Sequence, residues 1–132
     1  FERVLLERMA APPLAELIVG IKRENGFGLA LVIGAGGILV ELLKDSRSLL
    51  LPTTEGAIRE ALLSLRSAPL LQGFRGRATV DMEALVRAIR AVADYTCENA
   101  GQLLELDVNP LLVNAQGAIA VDALIRLDGE GY

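Results

Sequence analysis

Hydrophobic and polar positions alternate along residues 104–122, where the pattern is more regular than elsewhere in the chain. A period of two residues is typical of strands with one buried face, so this segment predicts two strands. Ala115 and Gln116 fit the tip of the turn between them, and Gly117 supplies permissive backbone. A hairpin with this turn pairs residues whose numbers sum to 231, so Asn109 is expected opposite Asp122.

The polar side chains of this predicted hairpin share one face. Directly opposed β-carbons lie roughly 4.5 to 5.5 Å apart, so Asn109 and Asp122 could bind one hard cation. Magnesium takes few protein ligands and completes its coordination with water and phosphate. The same pattern fits an ordinary edge hairpin with a solvated face, and a bulge at Pro110 would shift the register by one residue. The oxygen-bearing residues are Glu105, Asp107, Asn109 and Asp122.

Shorter apolar runs predict further strands upstream. A proline-containing loop is expected at residues 10–14, a turn at 25–28, a break at the glycines of 34–37 and a hairpin-like return at 45–48. The predicted strands are residues 3–9, 16–23, 29–33, 38–43 and 49–51.

Two amphipathic helices are predicted between these strands and the hairpin. Thr53 and Thr54 offer cap hydroxyls for a helix over residues 55–66, and Asp81 caps a second helix that ends near Thr96. Strands followed by two helices and a terminal hairpin indicate a single α+β domain over residues 1–132. We expect an antiparallel-rich sheet with helices packed on one face and the other face free. The apolar helix positions are Ile58, Leu62, Leu63, Leu65, Leu85, Val86, Ile89, Val92 and Ala93.

Composition excludes several kinds of chemistry. The chain of 132 residues has no histidine and a single cysteine, Cys97, which excludes histidine-based catalysis and an internal disulfide within it. A net charge of -4 with a pI near 4.8 argues against a nucleic-acid surface. The pattern predicts no membrane span and no secretory leader, so a cytoplasmic location is the default expectation. An opening at Phe1, without an initiator methionine, suggests a piece of a longer polypeptide.

The glycine run at residues 34–37 follows an apolar strand, as in a dinucleotide-binding unit. However, Leu39 replaces the third glycine of that motif, and residues 45–48 arrive too early for a crossover helix. A tight turn and a phosphate-proximal glycine loop of another fold remain open as explanations. An antiparallel strand pair at this run would exclude the dinucleotide-binding alternative.

Five blocks of the sequence occur in an order that resembles one known family. The blocks are ELIVGIKRENGFG, VIGAGGILVELLKD, LPTTEGAIREAL, LLQGFRGRATVD and LLELDVNPLLVNAQGAIAVDALI. Together they cover nearly the whole chain and resemble the ATP-grasp domain of NDP-forming acyl-CoA synthetases, which is similar to the β subunit of succinyl-CoA synthetase.

This resemblance implies the second lobe of an ATP-grasp fold, in which the nucleotide lies between two lobes. It assigns Mg²⁺ to Asn109 and Asp122, the same pair that the hairpin register brings together. It implies nucleotide-binding roles for Glu7, near adenine and ribose, and for the glycine block and an auxiliary carboxylate. These three further positions are Gly36, Gly37 and Asp107.

The resemblance also implies a reversible reaction in which acid, CoA and NTP interconvert with acyl-CoA, NDP and phosphate through an acyl phosphate and a phosphohistidine. The phosphohistidine must then belong to another domain or chain, as must the CoA-binding domain and the first lobe that grips the phosphates. The expected cofactors are Mg²⁺ and ATP or another NTP. The isolated chain is expected to be catalytically incomplete.

Two positions depart from this family pattern. Leu49 and Leu124 stand where relatives often carry a basic residue that could face phosphate, and their loss would weaken anion binding. The alternative reading is therefore a catalytically weakened nucleotide-sensing or interaction module of a multidomain protein. The free sheet face also makes a homo-oligomer of the isolated lobe an expectation.

Overall fold

The computed structural model describes residues 3–24, 26, 28–36 and 44–129. Within these residues the strands are β1 (Ala15–Glu24), β2 (Gly28–Ala35), β3 (Ser46–Leu50), β4 (Leu103–Asn114), β5 (Gly117–Ala120) and β6 (Ala123–Leu127). The α-helices are α1 (Glu55–Leu63), α2 (Ala68–Leu71) and α3 (Met82–Glu98), with a 3-10 turn at Phe74–Gly76.

All pairings in the sheet are antiparallel, in the order β3-β2-β1-β4-β5. The long strand β4 pairs with β1 along one edge. Along its other edge β4 pairs first with β6 and then, nearer its end, with β5. The predicted α+β class with an antiparallel-rich sheet is confirmed.

The core lies between one face of the sheet and the helices. Alternate residues in the first half of β1 are buried because a strand directs successive side chains to opposite faces, whereas the central strand β2 is buried along nearly its whole length. The apolar stripes of α1 and α3 cover that face, as predicted, and leave the opposite face uncovered by these helices. Core side chains that are essentially inaccessible are Leu17, Val19, Leu31, Ile33, Ile58, Leu62, Leu85, Val86, Ile89, Leu103 and Val113.

Both long helices begin at the predicted caps. The Thr54 hydroxyl accepts a hydrogen bond from the Ala57 N–H at 3.1 Å, and the Asp81 carboxylate accepts one from the Ala84 N–H at 3.0 Å. Each cap satisfies one of the backbone donors that a helix start leaves without a partner. No helix in the described part of the chain combines the length and apolar character required to cross a membrane.

Replacing Thr54 with alanine should lower the free energy of unfolding by about 1 kcal/mol, because the Ala57 N–H loses its acceptor. Urea unfolding of the two proteins measures the difference. Thr53→Ala is the matched control because the structure assigns the cap to its neighbour, and it should leave the midpoint nearly unchanged. Equal midpoints for Thr54→Ala and wild type would contradict the assignment.

The predicted strand at residues 3–9 is wrong, since residues 3–13 form no helix or strand. Their apolar side chains are largely in solvent, with Leu6 and Met9 at 89% and 90% exposure. An apolar run becomes a strand only when a neighbouring strand and a buried face are available, and the described residues provide neither here.

Other boundaries also differ from the sequence expectations. Strand β2 continues through Gly34 to Ala35 instead of breaking, because β1 and β3 pair with it there. Helix α1 ends at Leu63 rather than residue 66, and Leu63 is 42% exposed rather than part of the buried stripe. The strand predicted at residues 38–43 lies outside the described residues.

The strand pairing at Gly34 excludes the dinucleotide-binding alternative. Gly34 lies opposite Ile18 in β1 and opposite Ser46 in β3, and both pairings are antiparallel. A dinucleotide-binding unit requires parallel neighbours joined by a crossover helix.

Candidate functional site

The terminal hairpin has the predicted register. Leu111 faces Ala120 and Asn114 faces Gly117, which puts Ala115 and Gln116 at the tip. The same register continues into β6, where Val108 faces Ala123. Between these two stretches the Asn109 N–H donates to the Asp122 carbonyl at 3.0 Å, so the predicted facing pair is present.

The irregularity expected near Pro110 occurs, but on the other edge of β4. Opposite β1 the register shifts between Leu17 and Val19, where β4 contains one residue more than β1. The alternation of buried residues in β4 changes there. Leu106 and Val108 are buried before this point and Leu111 and Val113 after it, so the buried positions move from even to odd residue numbers. Because β1 accommodates the shift, Asn109 keeps its position opposite Asp122.

The Asn109 and Asp122 side chains suit a hard divalent cation. One is an amide and the other a carboxylate, both residues are exposed, and the Asp122 carboxylate accepts a hydrogen bond from the Ala123 N–H at 2.9 Å. In the part of the chain that the structure describes, no group of three acidic, histidine or cysteine residues could enclose a metal. The pair therefore fits an ion that draws most of its ligands from phosphate and water, which is the preference of Mg²⁺.

Asp107 lies one ladder step from this pair, on the sheet face that the helices leave uncovered, which we call the open face. It faces Gly20 of β1 on one side and Leu124 of β6 on the other. A β-carbon built on Gly20 would lie 3.6 Å from the Asp107 Oδ1 atom. The missing side chain at Gly20 thus leaves room above the sheet beside the carboxylate.

This room is part of a trough of about 350 Å³ on the open face. Two glycines of adjacent strands form its floor, and carboxylates lie at one side. Gly20 was not among the residues that the sequence suggested, although an isolated glycine in a strand often marks close approach of a ligand or backbone. The lining residues are Ile18, Gly20, Ile21, Val32, Gly34, Ser46, Glu105, Leu106 and Asp107.

Gly36 lies at the end of β2, where the backbone of β1 comes very close. Its N–H donates to the Glu16 carbonyl at 2.8 Å, and a β-carbon there would lie 3.1 Å from the Glu16 carbonyl oxygen. This contact accounts for glycine by packing, and the three atoms nearest a Gly36 β-carbon all belong to Glu16 rather than to Asn109 or Asp122. The predicted partner Gly37 lies outside the described residues.

Glu7 is exposed in the segment before β1 and lines a cleft of about 380 Å³. The cleft lies between residues 7–13 and the terminal hairpin, whose Leu112, Ile119 and Val121 form its apolar side. The Val121 N–H donates to the Pro110 carbonyl at 3.0 Å, so this cleft begins beside the Asn109–Asp122 pair. We call it the linker cleft.

The two leucines that depart from the family pattern occupy different environments. Leu49 is half-buried and packs against the hydrophobic core, opposite Leu31. Leu124 is 50% exposed and faces Asp107 across the ladder. The expectation that both positions could face phosphate is therefore wrong for Leu49, because its side chain lies on the helix side of the sheet.

The chain matches the model of the ATP-grasp domain family over residues 1–127. It is 36% identical over 128 residues to the β subunit of ADP-forming acetate–CoA ligase II of Pyrococcus furiosus, covering 96% of this chain and 54% of that subunit. It is 33% identical over 129 residues to ADP-forming acetate–CoA ligase I of Archaeoglobus fulgidus, covering 98% of this chain and 18% of that protein. The chain thus spans about half the length, or less, of the curated relatives it matches.

Solved structures agree with these sequence matches. Dinucleotide-forming acetyl-coenzyme A synthetase 1 of Candidatus Korarchaeum cryptofilum, in complex with coenzyme A and Mg-AMPPCP, superposes with a TM-score of 0.82 at 36% identity. The superposition covers 89% of this chain and 55% of that chain. The antiparallel sheet, the helices on one face and the family match lead to one conclusion: this chain belongs to the ATP-grasp family.

Proposed function

We propose that this chain is the Mg-nucleotide-binding lobe of an NDP-forming acyl-CoA synthetase, and that it binds ATP or another NTP against its open face. The observation that carries the proposal is the facing pair Asn109 and Asp122, joined by a 3.0 Å backbone hydrogen bond. An amide and a carboxylate on facing residues are suitable Mg²⁺ ligands, and the chain matches the ATP-grasp domain family.

The linker cleft supplies a suitable position for the nucleobase. Leu112, Ile119 and Val121 offer an apolar surface on which a base could lie, and Glu7 at the rim offers a carboxylate that accepts hydrogen bonds from an exocyclic amine. A base in this cleft would direct its phosphates toward Asn109 and Asp122, which are the next residues along the hairpin. Glu7 therefore keeps its proposed role although its segment is not a strand.

The charge of the site supports phosphoryl transfer as its chemistry. When bound, Mg²⁺ would offset the negative charge on the phosphate oxygens as the terminal phosphoryl group leaves. Asn109 and Asp122 would orient the ion, and Asp107, one ladder step away, could hold a bound water or a second cation. These residues position the phosphates, whereas the acyl and CoA chemistry requires residues from elsewhere.

Asp122→Ala should weaken Mg-ATP binding about tenfold in the complete protein, because the cation loses its charged ligand. Calorimetric titration with ATP in Mg²⁺ and again in EDTA measures the effect, and the loss should appear only with Mg²⁺. Asp94→Ala is the control, since Asp94 is an exposed acid paired with Arg90 on the helix side of the sheet. Equal Mg-ATP affinity for Asp122→Ala and wild type would refute the metal assignment.

The remaining parts of the proposed enzyme must lie in other domains or subunits. The sequence contains no histidine, so a phosphohistidine carrier must come from elsewhere, together with the first ATP-grasp lobe and the CoA-binding domain. The similar acetyl-coenzyme A synthetase is described with a phosphohistidine segment that points towards its nucleotide-binding site. On this proposal the isolated chain is inactive, and acyl-CoA formation by the complete protein with CoA and short organic acids is the test of the whole reaction.

A second function, nucleotide sensing without turnover, is favoured by Leu124 alone. This side chain puts an exposed apolar group on the open face directly opposite Asp107, where it cannot bind an anion. A sensor would bind Mg-ATP but form no acyl-CoA, so the turnover assay separates the two functions. The cytoplasmic location and the homo-oligomer expected from the sequence stay predictions.

A further inference from the structure

An exposed ion pair lies on the open face beyond Asp107. The Arg126 Nε atom is 3.0 Å from a Glu105 carboxylate oxygen, with the two side chains 61% and 43% exposed. The two residues face each other across β4 and β6. Exposed ion pairs of this kind contribute little to stability, so stability alone gives no strong reason for the pair.

The ion pair lies in line with two other facing pairs. Glu105 faces Arg126 and Asp107 faces Leu124 in the β4–β6 ladder, and just beyond the end of that ladder the Asn109 N–H donates to the Asp122 carbonyl. Residues two apart along a strand point to the same side, so Leu124 and Arg126 of β6 share a face about 7 Å apart, and Asp122 immediately precedes that strand. A polyphosphate extending from the Asn109–Asp122 pair and the long arginine side chain reaching back toward it can meet above Leu124.

Charge on this face explains why an arginine is needed there. The three facing pairs carry the carboxylates of Glu105, Asp107 and Asp122, and a nucleotide would add several negative charges. A guanidinium has five N–H donors in a planar fork that matches phosphate oxygens, and the contact to Glu105 through Nε uses one of them. Glu105 can therefore hold the Arg126 side chain over the face while other donors contact an oxyanion.

Lys22 is a second cation on this face, on the neighbouring strand β1. Its amine lies 3.6 Å from Glu24, farther toward the end of that strand. It lacks the planar fork of an arginine and lies across β4 from β6. Arg126 is therefore the better candidate to contact phosphate, because it lies two residues from Leu124 on β6, the strand that Asp122 immediately precedes.

We propose that Arg126 binds the terminal phosphate of the nucleotide, with Glu105 orienting its guanidinium, and that it provides the cationic group that Leu124 does not. This proposal rests on the proposed nucleotide site. It assigns the base to the linker cleft, the cation to Asn109 and Asp122, and the terminal phosphate to the space above Leu124 and Gly20.

A nucleotide series in the complete protein tests this proposal. Arg126→Met should weaken Mg-ATP binding about tenfold and Mg-ADP binding much less, while AMP binding stays as in wild type. The ratio of ATP to ADP affinity is the decisive quantity, because a residue with a merely structural role would lower all three affinities together. Arg126→Lys should recover part of the ratio, since it restores the charge without the fork.

Arg90→Met is the matched control, because Arg90 is an exposed, ion-paired arginine of α3 on the helix side of the sheet. It should leave the ATP to ADP ratio unchanged. An unchanged ratio in Arg126→Met, in a protein whose wild type binds Mg-ATP, would overturn the role of Arg126 and leave the proposed function intact. If wild type binds no Mg-nucleotide, both the proposed function and this role fail.

Discussion

Asp45→Ala should destabilise the fold by about 3 to 5 kcal/mol, because two backbone donors would lose a buried, charged acceptor. Asp45 is 2% exposed, and its carboxylate accepts the Arg66 N–H at 2.7 Å and the Ser67 N–H at 2.8 Å. These two donors lie just before the short helix α2, whose N-cap residue Ser67 makes no side-chain cap hydrogen bond. One carboxylate therefore ties the start of β3 to the connection between α1 and α2.

The protonation of Asp45 should make stability depend on pH. Burial raises the pKa of the Asp45 carboxyl, but hydrogen bonds from the Ser67 side chain and from the backbone of Arg66 and Ser67 oppose it. The charge of Arg47 acts in the same direction, and the net pKa lies below the ordinary value of 3.8. A lowered folded pKa means that this contribution to stability is complete above about pH 3.9 and is lost as the pH falls through the folded pKa.

Urea unfolding at neutral and acidic pH measures both effects. Asp45→Asn keeps one oxygen acceptor and the shape of the side chain, so it should cost less than Asp45→Ala and should flatten the acid dependence. Asp94→Ala removes an exposed acid of a surface ion pair and should cost under about 1 kcal/mol. A loss of similar size for Asp45→Ala and Asp94→Ala would show that the buried hydrogen bonds do not support the fold as described.

Asp45 illustrates what sequence patterns cannot reveal. Its partners lie 21 and 22 residues away, and nothing in a local period identifies an acid that will bind the backbone of a distant connection between two helices. The Glu105–Arg126 pair and the trough at Gly20 also join residues that are distant in the sequence. Each depends on strands that the fold brings together, so no local pattern predicts it.

The hairpin was predictable because its information is local. A period of two residues determines which side chains share a face, and the turn at Ala115 and Gln116 determines the register. The prediction that Asn109 faces Asp122 followed from these two features alone. Pro110 did not disturb it, because the extra residue of β4 is accommodated against β1 rather than against β6.

The strand predicted at residues 3–9 was wrong because strand formation there depends on information that is not local. Its apolar residues are typical of a strand, but a strand also needs a partner with free backbone groups and a surface that buries its side chains. Val4, Leu5 and Leu6 are 73%, 80% and 89% exposed.

The proposed site is distributed along the hairpin in a way that explains its weak signature in the sequence. The linker cleft, the Asn109–Asp122 pair and the proposed phosphate ligand Arg126 follow one another along the hairpin and β6, and each contributes only one or two polar groups. No three of the acidic groups in the described residues are close enough to form a metal cluster. A nucleotide that spans these positions would itself bring them together, which suits a lobe that closes on its ligand with a second lobe.

Leu62→Ala should lower the free energy of unfolding by about 2 to 5 kcal/mol, because truncating a fully buried leucine removes apolar contacts and leaves a cavity. Leu62 is 0% exposed on the face of α1 that packs against the sheet. The neighbouring residue provides a matched control, since Leu63 is 42% exposed on the same helix. Leu63→Ala exchanges the same residue types, so it has the same helix propensity change but buries far less area.

Urea unfolding of both variants gives the two losses of unfolding free energy. The curves are analysed with the same dependence of that free energy on urea concentration. We expect Leu63→Ala to stay within about 1 kcal/mol of wild type, as surface substitutions usually do. If the two variants lose similar amounts, helix propensity rather than core packing would explain the loss, and α1 would not be packed as described. A large loss confined to Leu62→Ala would show that the helix layer holds the sheet whose opposite face carries the proposed nucleotide site.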